Sequence, residues 1–229
     1  MCSMPNCKEI RIFLFSDRYV FAIHTLSDFV FHRLEASFAY ESVLRCKRNA
    51  VHMPRRNSDT HALYQDRNCT MSLDPEHGMR LVGHIDQFCN GSAVLLDIAL
   101  TARKRIDGME IYCASGTMMI GDDEFVFAPA HSCAIIIQGE NNRIDSWLSA
   151  IQINHKPLLV GIVKNKNDEP QIVLYNIGTN EKTLLPCSAD SVFCDTTSQI
   201  KRFPVCIKNT DGQLLDLSEH WFIHLKGHA

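Results

Sequence analysis

The most regular alternation of hydrophobic and polar residues lies between positions 109 and 154. Three segments alternate with the two-residue period of strands and are separated by turns at 115–116 and 121–123, namely 109–114, 117–120 and 124–128. Pro129 ends the third segment, because proline has no N–H to donate to a sheet. The apolar run 133–137 is dense enough to predict a strand buried on both faces. This stretch is therefore expected to be the centre of a folded domain.

Helical spacing occurs at three places. Residues 143–153 carry apolar side chains at i, i+3, i+4 and i+7, which predicts an amphipathic helix around Trp147. Residues 92–105 begin at a serine suited to an N-cap and end in three basic residues, which favours a helix, although so short an apolar run also fits a strand. A third helix is indicated over 27–46, where Val30, Leu34 and Phe38 recur every fourth residue.

Further strands are expected at both ends of the chain. They fall at 9–15, 19–24, 79–89, 157–164, 171–177, 182–185, 192–194, 203–208 and 214–217, with 219–225 as a last strand or helical turn. Polar turns separate the later segments, as in hairpins. The predicted fold class is therefore α+β, a mostly antiparallel β-sheet meander with one or two packed helices and a compositionally distinct N-terminal region.

The composition changes near residue 70, where we predict a domain boundary. An appended region would cover 1–70 and an α+β domain 71–229, with 109–154 as its central unit. All eleven glycines lie at or after Gly78, although glycine is the usual residue for turns that need a positive φ. Two explanations stay open. Residues 1–70 form a small subdomain, or the native polypeptide starts at Met71 and they are an extension.

Composition and charge limit the partners. Hydrophobic residues make up 45% and charged residues 21%, as in ordinary globular proteins, and the net charge of −3 argues against a nucleic-acid partner. Charged residues interrupt the most apolar stretch, so neither a membrane span nor an export signal is expected. We expect a soluble cytoplasmic protein whose ten cysteines are mostly reduced. Without an export signal, the N-glycosylation acceptor sequences at Asn68 and Asn90 carry little weight.

Motifs for catalysis or cofactor binding are missing. The sequence has no GxSxG, HExxH, Walker or GxGxxG pattern, so no catalytic residue and no cofactor is predicted. Cysteine and histidine near the C-terminus are residue types that bind zinc or serve a small hydrolase, and this alternative set is Cys194, Cys206, His220 and His224. The cysteines are spaced more widely than in the usual zinc knuckle.

Residues 125–127, 135–137 and 143–151 resemble the end of a pleckstrin-homology domain, in which a Trp-containing helix closes a bent sheet. The resemblance covers a short part of the chain. It implies lipid or peptide binding, and the residues that would contact a lipid or anion are Arg103, Lys104 and Arg105. These basic residues precede a predicted strand, whereas the family carries its basic motif in its first hairpin.

The sequence as a whole favours a non-enzymatic protein-interaction or adaptor module that binds another protein. The alternatives are a small Cys/His-dependent hydrolase or zinc-binding protein, and a lipid- or peptide-binding module. Residues 135–137 and Trp147 are expected to belong to the core rather than to a site.

Overall fold

The computed structural model describes residues 8–27, 32–41, 43–52, 62–74, 79–106, 108–139, 146–153, 156–164, 170–179, 181–186, 200–203, 206–208 and 214–225. Every regular element in these ranges is a β-strand, so the predicted α+β class with packed helices is wrong. The chain divides into two compact units, Met1–Gly139 (unit 1) and Glu140–Ala229 (unit 2). None of the described elements is a helix with the length and apolarity that crossing a membrane requires.

Unit 1 is one large antiparallel sheet. Its described strands are β1 Lys8–Phe15, β2 Tyr19–Ser27, β3 His32–Tyr40, β4 Val43–His52, β5 Ala62–Gln65, β6 Cys69–Asp74, β7 Arg80–Cys89, β8 Ser92–Ile106, β9 Met109–Ile120, β10 Asp123–Phe127 and β11 Cys133–Gln138. The order is β4-β3-β2-β1-β11-β9-β8-β7-β6-β5, and β10 pairs with β9. Strand β4 approaches β7 and β3 approaches β5, so the sheet curls into a nearly closed barrel. The strands before residue 70 therefore share one sheet with those after it.

All three predicted helices are strands where the structure describes them. The segment 27–46 contains β3 and the start of β4, the segment 92–105 lies in β8, and 146–153 is a strand of unit 2. On β8 the buried side chains follow a two-residue period, from Val94 to Leu100. The apolar residues that fit a helical face thus fit a strand equally well, and hydrogen bonds to β7 and β9 stabilise the strand.

Side chains from alternate positions fill the inside of the barrel. Ile12, Leu34, Leu96 and Tyr112 come from distant parts of the sequence and belong to the same buried cluster. Most apolar outward positions of β1, β2 and β11 are buried as well, and the prediction that the run 133–137 is buried on both faces is confirmed by residues 134–137. On β7–β10, by contrast, several outward side chains are exposed.

Strand β9 changes its partner halfway along its length. Its first half pairs with β11 and its second half, from Gly116 onward, pairs with β10. Gly116 has φ +147°, and a Cβ built on it would lie 2.1 Å from the Asp97 carbonyl oxygen of β8. The predicted turn at 115–116 is therefore wrong. Glycine here lets two backbones approach closely within one continuous strand.

Unit 2 contains a second antiparallel sheet and a small hairpin. Its described strands are β12 Ser146–Ile153, β13 Lys156–Lys164, β14 Pro170–Asn176, β15 Lys182–Pro186, β16 Ile200–Lys201, β17 Cys206–Lys208, β18 Leu214–Asp216 and β19 Phe222–Leu225. The sheet order is β15-β14-β13-β12-β19-β16, and β17 pairs with β18. The predicted pairing of β13 with β14 and of β17 with β18 is confirmed, while 192–194 lies outside the described residues.

The core of unit 2 is built around Trp147, as expected. Its side chain is fully buried, and its ring makes an edge contact with Phe203. However, Trp147 belongs to strand β12, so the closing helix implied by the resemblance to pleckstrin-homology domains is absent at this position. That resemblance therefore loses the element on which it depended.

Candidate functional site

Four apolar residues form a diagonal stripe on the outer face of β7–β10, and we call them the apolar stripe. Leu95 of β8 and Met119 of β9 are directly opposite each other. Val82 of β7 is diagonal to Leu95, and Val126 of β10 is diagonal to Met119. Val82, Leu95 and Val126 are 39%, 54% and 57% exposed, and Met119 is half-buried. Exposed apolar side chains that adjoin one another across strands form a candidate interaction surface.

The surroundings of the apolar stripe carry more negative than positive charge. Arg80 donates two hydrogen bonds of 2.6 Å to the Asp97 carboxylate, which lowers the pKa of Asp97 and neutralises this pair. Three consecutive carboxylates are exposed at the β9–β10 turn and the start of β10, namely Asp122, Asp123 and Glu124. The border of the stripe is therefore acidic at this end.

A shallow cleft of about 340 Å³ lies on the same outer face. Its lining combines the Arg80–Asp97 pair with small or hydroxyl-bearing side chains from β8 and β9, namely Ala99, Thr101, Ser115 and Thr117. Thr117 is the register partner of both Asp97 and Val126, so the cleft and the apolar stripe share a border. Binding energy at protein interfaces concentrates in a few side chains that fill well-packed pockets, and this cleft is a recess beside the stripe.

Two of the three residues predicted to contact an anion converge on a buried carboxylate. The guanidinium groups of Arg103 and Arg105 both pair with Glu110 Oε1, and the Arg105 contact is 2.9 Å. Tyr112 donates a hydrogen bond of 2.8 Å to Glu110 Oε2. Burial raises the pKa of Glu110, but the hydrogen bonds from Tyr112 and the two arginines outweigh it and lower the pKa. Both arginines therefore stabilise this carboxylate.

A bulge in β8 places these arginines. The register with β9 shifts between Thr101 and Lys104, and Ala102 between them has φ +53°. Bulges commonly redirect side chains in this way. Lys104 itself is half-buried. Binding of a lipid or anion by this segment stays a prediction.

The structure describes three members of the C-terminal Cys/His set, and Cys194 lies outside the described residues. Cys206 is exposed on β17 opposite Asp216. Desolvation and its hydrogen bond to Asp216 raise the pKa of the Cys206 thiol, so the reactive thiolate is disfavoured. An activated cysteine nucleophile would need the opposite shift.

The two histidines of this set have different environments. His224 is buried on β19 and stacks on Trp147, with ring centroids 4.4 Å apart and planes inclined by 15°. His220 lies in the turn before β19, and its charge contributes to a lowered pKa of Asp216. Within the described ranges no group of three or more His, Cys, Asp or Glu side chains could hold a metal ion. Zinc binding gains no support and stays an untested alternative.

The cysteines are not all reduced thiols. Cys89 at the end of β7 is disulfide-bonded, which is an exception to the mostly reduced state expected from the sequence. Four cysteines among the described residues form no disulfide, namely Cys69, Cys113, Cys133 and Cys206. Burial, with a smaller contribution from Cys113 opposite, raises the pKa of Cys133 to about 12. The thiolate form of Cys133, which is the nucleophile, is therefore disfavoured.

The apolar stripe was missed in the sequence, although a signal exists. Each of three neighbouring strands contains three consecutive apolar residues, 94–96, 118–120 and 125–127. In a strand the middle residue of such a run must point to the opposite face from its neighbours. Only the correct assignment of 92–105 as a strand makes the pattern visible.

The comparisons with known proteins assign no family. No protein-family model and no curated protein matches the sequence. A putative AttH from Nitrosomonas europaea is 9% identical, with a TM-score of 0.48 over 93% of this chain and 79% of that chain. Kievitone hydratase from Nectria haematococca is 11% identical, with a TM-score of 0.40 over 96% of this chain and 72% of that chain. Both scores are too low to support any inference about this chain.

Proposed function

We propose that this protein is a non-enzymatic interaction module that binds another protein through the outer face of β7–β10. The observation that carries the proposal is the apolar stripe. Equivalent outward positions on β1, β2 and β11 are buried, for example Phe15, Val20 and Ile135. Exposure is therefore particular to the stripe and is not a general property of this sheet. Covering exposed apolar area by a partner is favourable, by about 25 cal/mol per Å² before the costs of association.

The chemistry of the surface indicates the kind of partner. The stripe would pack against apolar side chains, and the cleft beside Thr117 would receive one protruding side chain. Exposed carboxylates at Asp122 and Asp123 would attract basic residues at the border of the partner's segment. We therefore propose a protein partner that presents an apolar segment flanked by lysine or arginine.

The state of two thiols argues against cysteine catalysis at their positions. The pKa values of Cys133 and Cys206 are both raised, whereas a nucleophilic cysteine depends on a lowered pKa. The hydrolase alternative therefore lacks an activated thiol at either position. The interaction module needs no reactive group.

The first experiment identifies the partner at the stripe itself. A photoreactive amino acid replaces Leu95 in the full chain, and cross-linked proteins from the native source are identified by mass spectrometry. We expect one protein to cross-link from this position, and not from a photoreactive residue placed at Leu184 of unit 2, which is similarly exposed at 57%. Cross-links only between copies of this chain, or equal yields from both positions, would contradict the proposal.

The second experiment measures the affinity of the purified partner. Leu95→Asp should weaken binding at least about tenfold, roughly 1.4 kcal/mol, because a carboxylate would be buried against apolar residues. Leu184→Asp is the matched control and should leave the Kd unchanged. Asp122→Asn combined with Asp123→Asn should slow association and reduce its salt dependence. An unchanged Kd for Leu95→Asp, with the fold intact by circular dichroism, would rule out the stripe as the interface.

A further inference from the structure

Two acceptor sequences for N-glycosylation lie in exposed turns of the barrel. They are Asn68-Cys69-Thr70 and Asn90-Gly91-Ser92, each of the form Asn-x-Ser/Thr. Asn68 is in the turn between β5 and β6, and Asn90 is in the turn between β7 and β8. Both side chains are exposed. The Asp86 N–H donates a hydrogen bond of 2.8 Å to the Asn68 carbonyl oxygen, so the two turns lie at the same end of unit 1.

The space around each asparagine suits a bulky modification. Asn90 and Gly91 have φ +47° and +85°, as in the two-residue hairpin turns that leave their central residues at the tip. A Cβ built on Gly91 would meet no atom within 4 Å, so this turn borders open space. At the other turn, Asp66 Oδ1 accepts the N–H groups of Asn68 and Cys69, which fixes the backbone without using the Asn68 side chain.

A second, independent observation concerns the compartment. Cys89, which directly precedes Asn90, is disulfide-bonded. Structural disulfides form and persist in oxidising compartments and are rare in the reducing cytosol. The lumen of the endoplasmic reticulum is oxidising, and it is also the place where N-linked glycans are attached. Neither observation contributes to the interaction surface proposed above.

We propose that this chain matures in an oxidising secretory compartment and carries N-linked glycans on Asn68 and Asn90. In each transfer the Asn Nδ2 forms a bond to the anomeric carbon of a lipid-diphosphate-linked oligosaccharide. The bond from that carbon to the phosphate oxygen breaks, the lipid diphosphate leaves, and one amide proton is lost to a base of the transferase. For the disulfide, the Cys89 thiol and its partner thiol lose two protons and two electrons to a disulfide-containing oxidant. The assignment departs from the cytoplasmic location expected from the sequence.

The decisive experiment uses the full chain purified from its native source. A glycosidase that releases N-linked glycans and converts the modified Asn to Asp is applied in heavy-oxygen water, followed by peptide mapping. We expect heavy-oxygen Asp at positions 68 and 90, with a loss of intact mass equal to two glycans. In a parallel map, the Cys89 peptide should be alkylated only after reduction. Unmodified Asn68 or Asn90 would overturn the assignment of a glycan at that site. Alkylation of Cys89 without reduction would overturn the assignment to an oxidising compartment.

Variants expressed in the native host provide the matched controls. Asn68→Gln and Asn90→Gln should each remove one glycan, seen as one step of faster migration on a denaturing gel. Thr70→Ala should also lose a glycan, whereas Thr70→Ser keeps the required hydroxyl and should retain it. Migration that is the same for Thr70→Ala and Thr70→Ser would contradict modification at Asn68, whatever the effect of either substitution on folding.

Discussion

Strand β1 carries a buried carboxylate on its outward face, and the partners of Glu9 show how it is tolerated. Its side chain is only 5% exposed, yet Arg11 Nη2 and His24 Nε2 lie 2.6 and 2.7 Å from Glu9 Oε1. Burial raises the pKa of Glu9, but the close contacts with His24 and Arg11 outweigh it and lower the pKa from 4.5 to about 2. A buried carboxylate is retained because its charged form has partners.

Glu9 should therefore contribute to stability in a pH-dependent way. Because its pKa is lower in the folded state, the contribution is fully present above about 4.5 and is lost as the pH falls towards about 2. We expect Glu9→Gln to lower the free energy of unfolding by roughly 2–3 kcal/mol near neutral pH. The difference from the unmodified chain should shrink as the solution is acidified through this range.

Denaturant unfolding of both proteins, followed by circular dichroism at a series of pH values, measures this difference. Glu124→Gln is the control, because Glu124 is exposed and its loss should change the stability by less than about 0.5 kcal/mol. A Glu9→Gln effect of constant size from neutral pH down to about 2 would show that the charge of Glu9 is not the cause.

At the scale of elements, β9 holds the barrel together because it pairs with three strands. Its first half is hydrogen-bonded to β11, its second half to β10, and β8 lies along its other side. Gly116 lies at the exchange of partners, with φ +147° and no room for a Cβ beside β8. Strand β9 can continue past β8 at this close backbone approach because Gly116 has no side chain.

Substitution of Gly116 should therefore be costly. We expect Gly116→Ala to destabilise the protein by about 3 kcal/mol or more, because it adds a steric clash to an unfavourable backbone conformation. Gly108→Ala is the matched control, since Gly108 has φ +81° but a Cβ built on it would meet no atom within 4 Å, and should cost only about 1–2 kcal/mol. Thermal unfolding followed by circular dichroism compares the two. Equal costs would mean that the close approach to β8 does not constrain β9.

At the scale of the whole molecule, each unit has a core of its own. The core of unit 1 includes residues from both sides of position 70, such as Phe38 and Leu96. The core of unit 2 includes Trp147 and Phe222. Both tryptophans of the chain, Trp147 and Trp221, belong to unit 2, so intrinsic tryptophan fluorescence reports on that unit.

Truncation of the central tryptophan should destabilise unit 2. We expect Trp147→Ala to cost about 3–5 kcal/mol, since a fully buried ring leaves a cavity when it is removed. The measurement is denaturant unfolding followed by the fluorescence of Trp221, which is buried against the Arg202 guanidinium. Leu184→Ala, at an exposed position of the same unit, should change the midpoint little. An unchanged midpoint for Trp147→Ala would show that this ring does not support the core.

The alternation of side chains was sufficient to predict several strands and their pairing. Strand β11, the β13–β14 hairpin and the β17–β18 hairpin were predicted because local turn residues and local hydrophobicity specify them. The core position of residues 135–137 was predicted for the same reason, whereas Trp147 was predicted in the core on the apolar face of a helix that is in fact a strand. Both core positions are confirmed.

Whether the segments 92–105 and 146–153 form a helix or a strand depends on pairing partners that are distant in sequence. Strand β8 exists because β7 and β9 satisfy its backbone hydrogen bonds, and a local apolar pattern does not encode such partners. The same reason applies to the candidate interaction surface. Val82, Leu95 and Val126 become neighbours only when three separate hairpins bring their strands into one sheet, and their exposure depends on which face of that sheet stays uncovered.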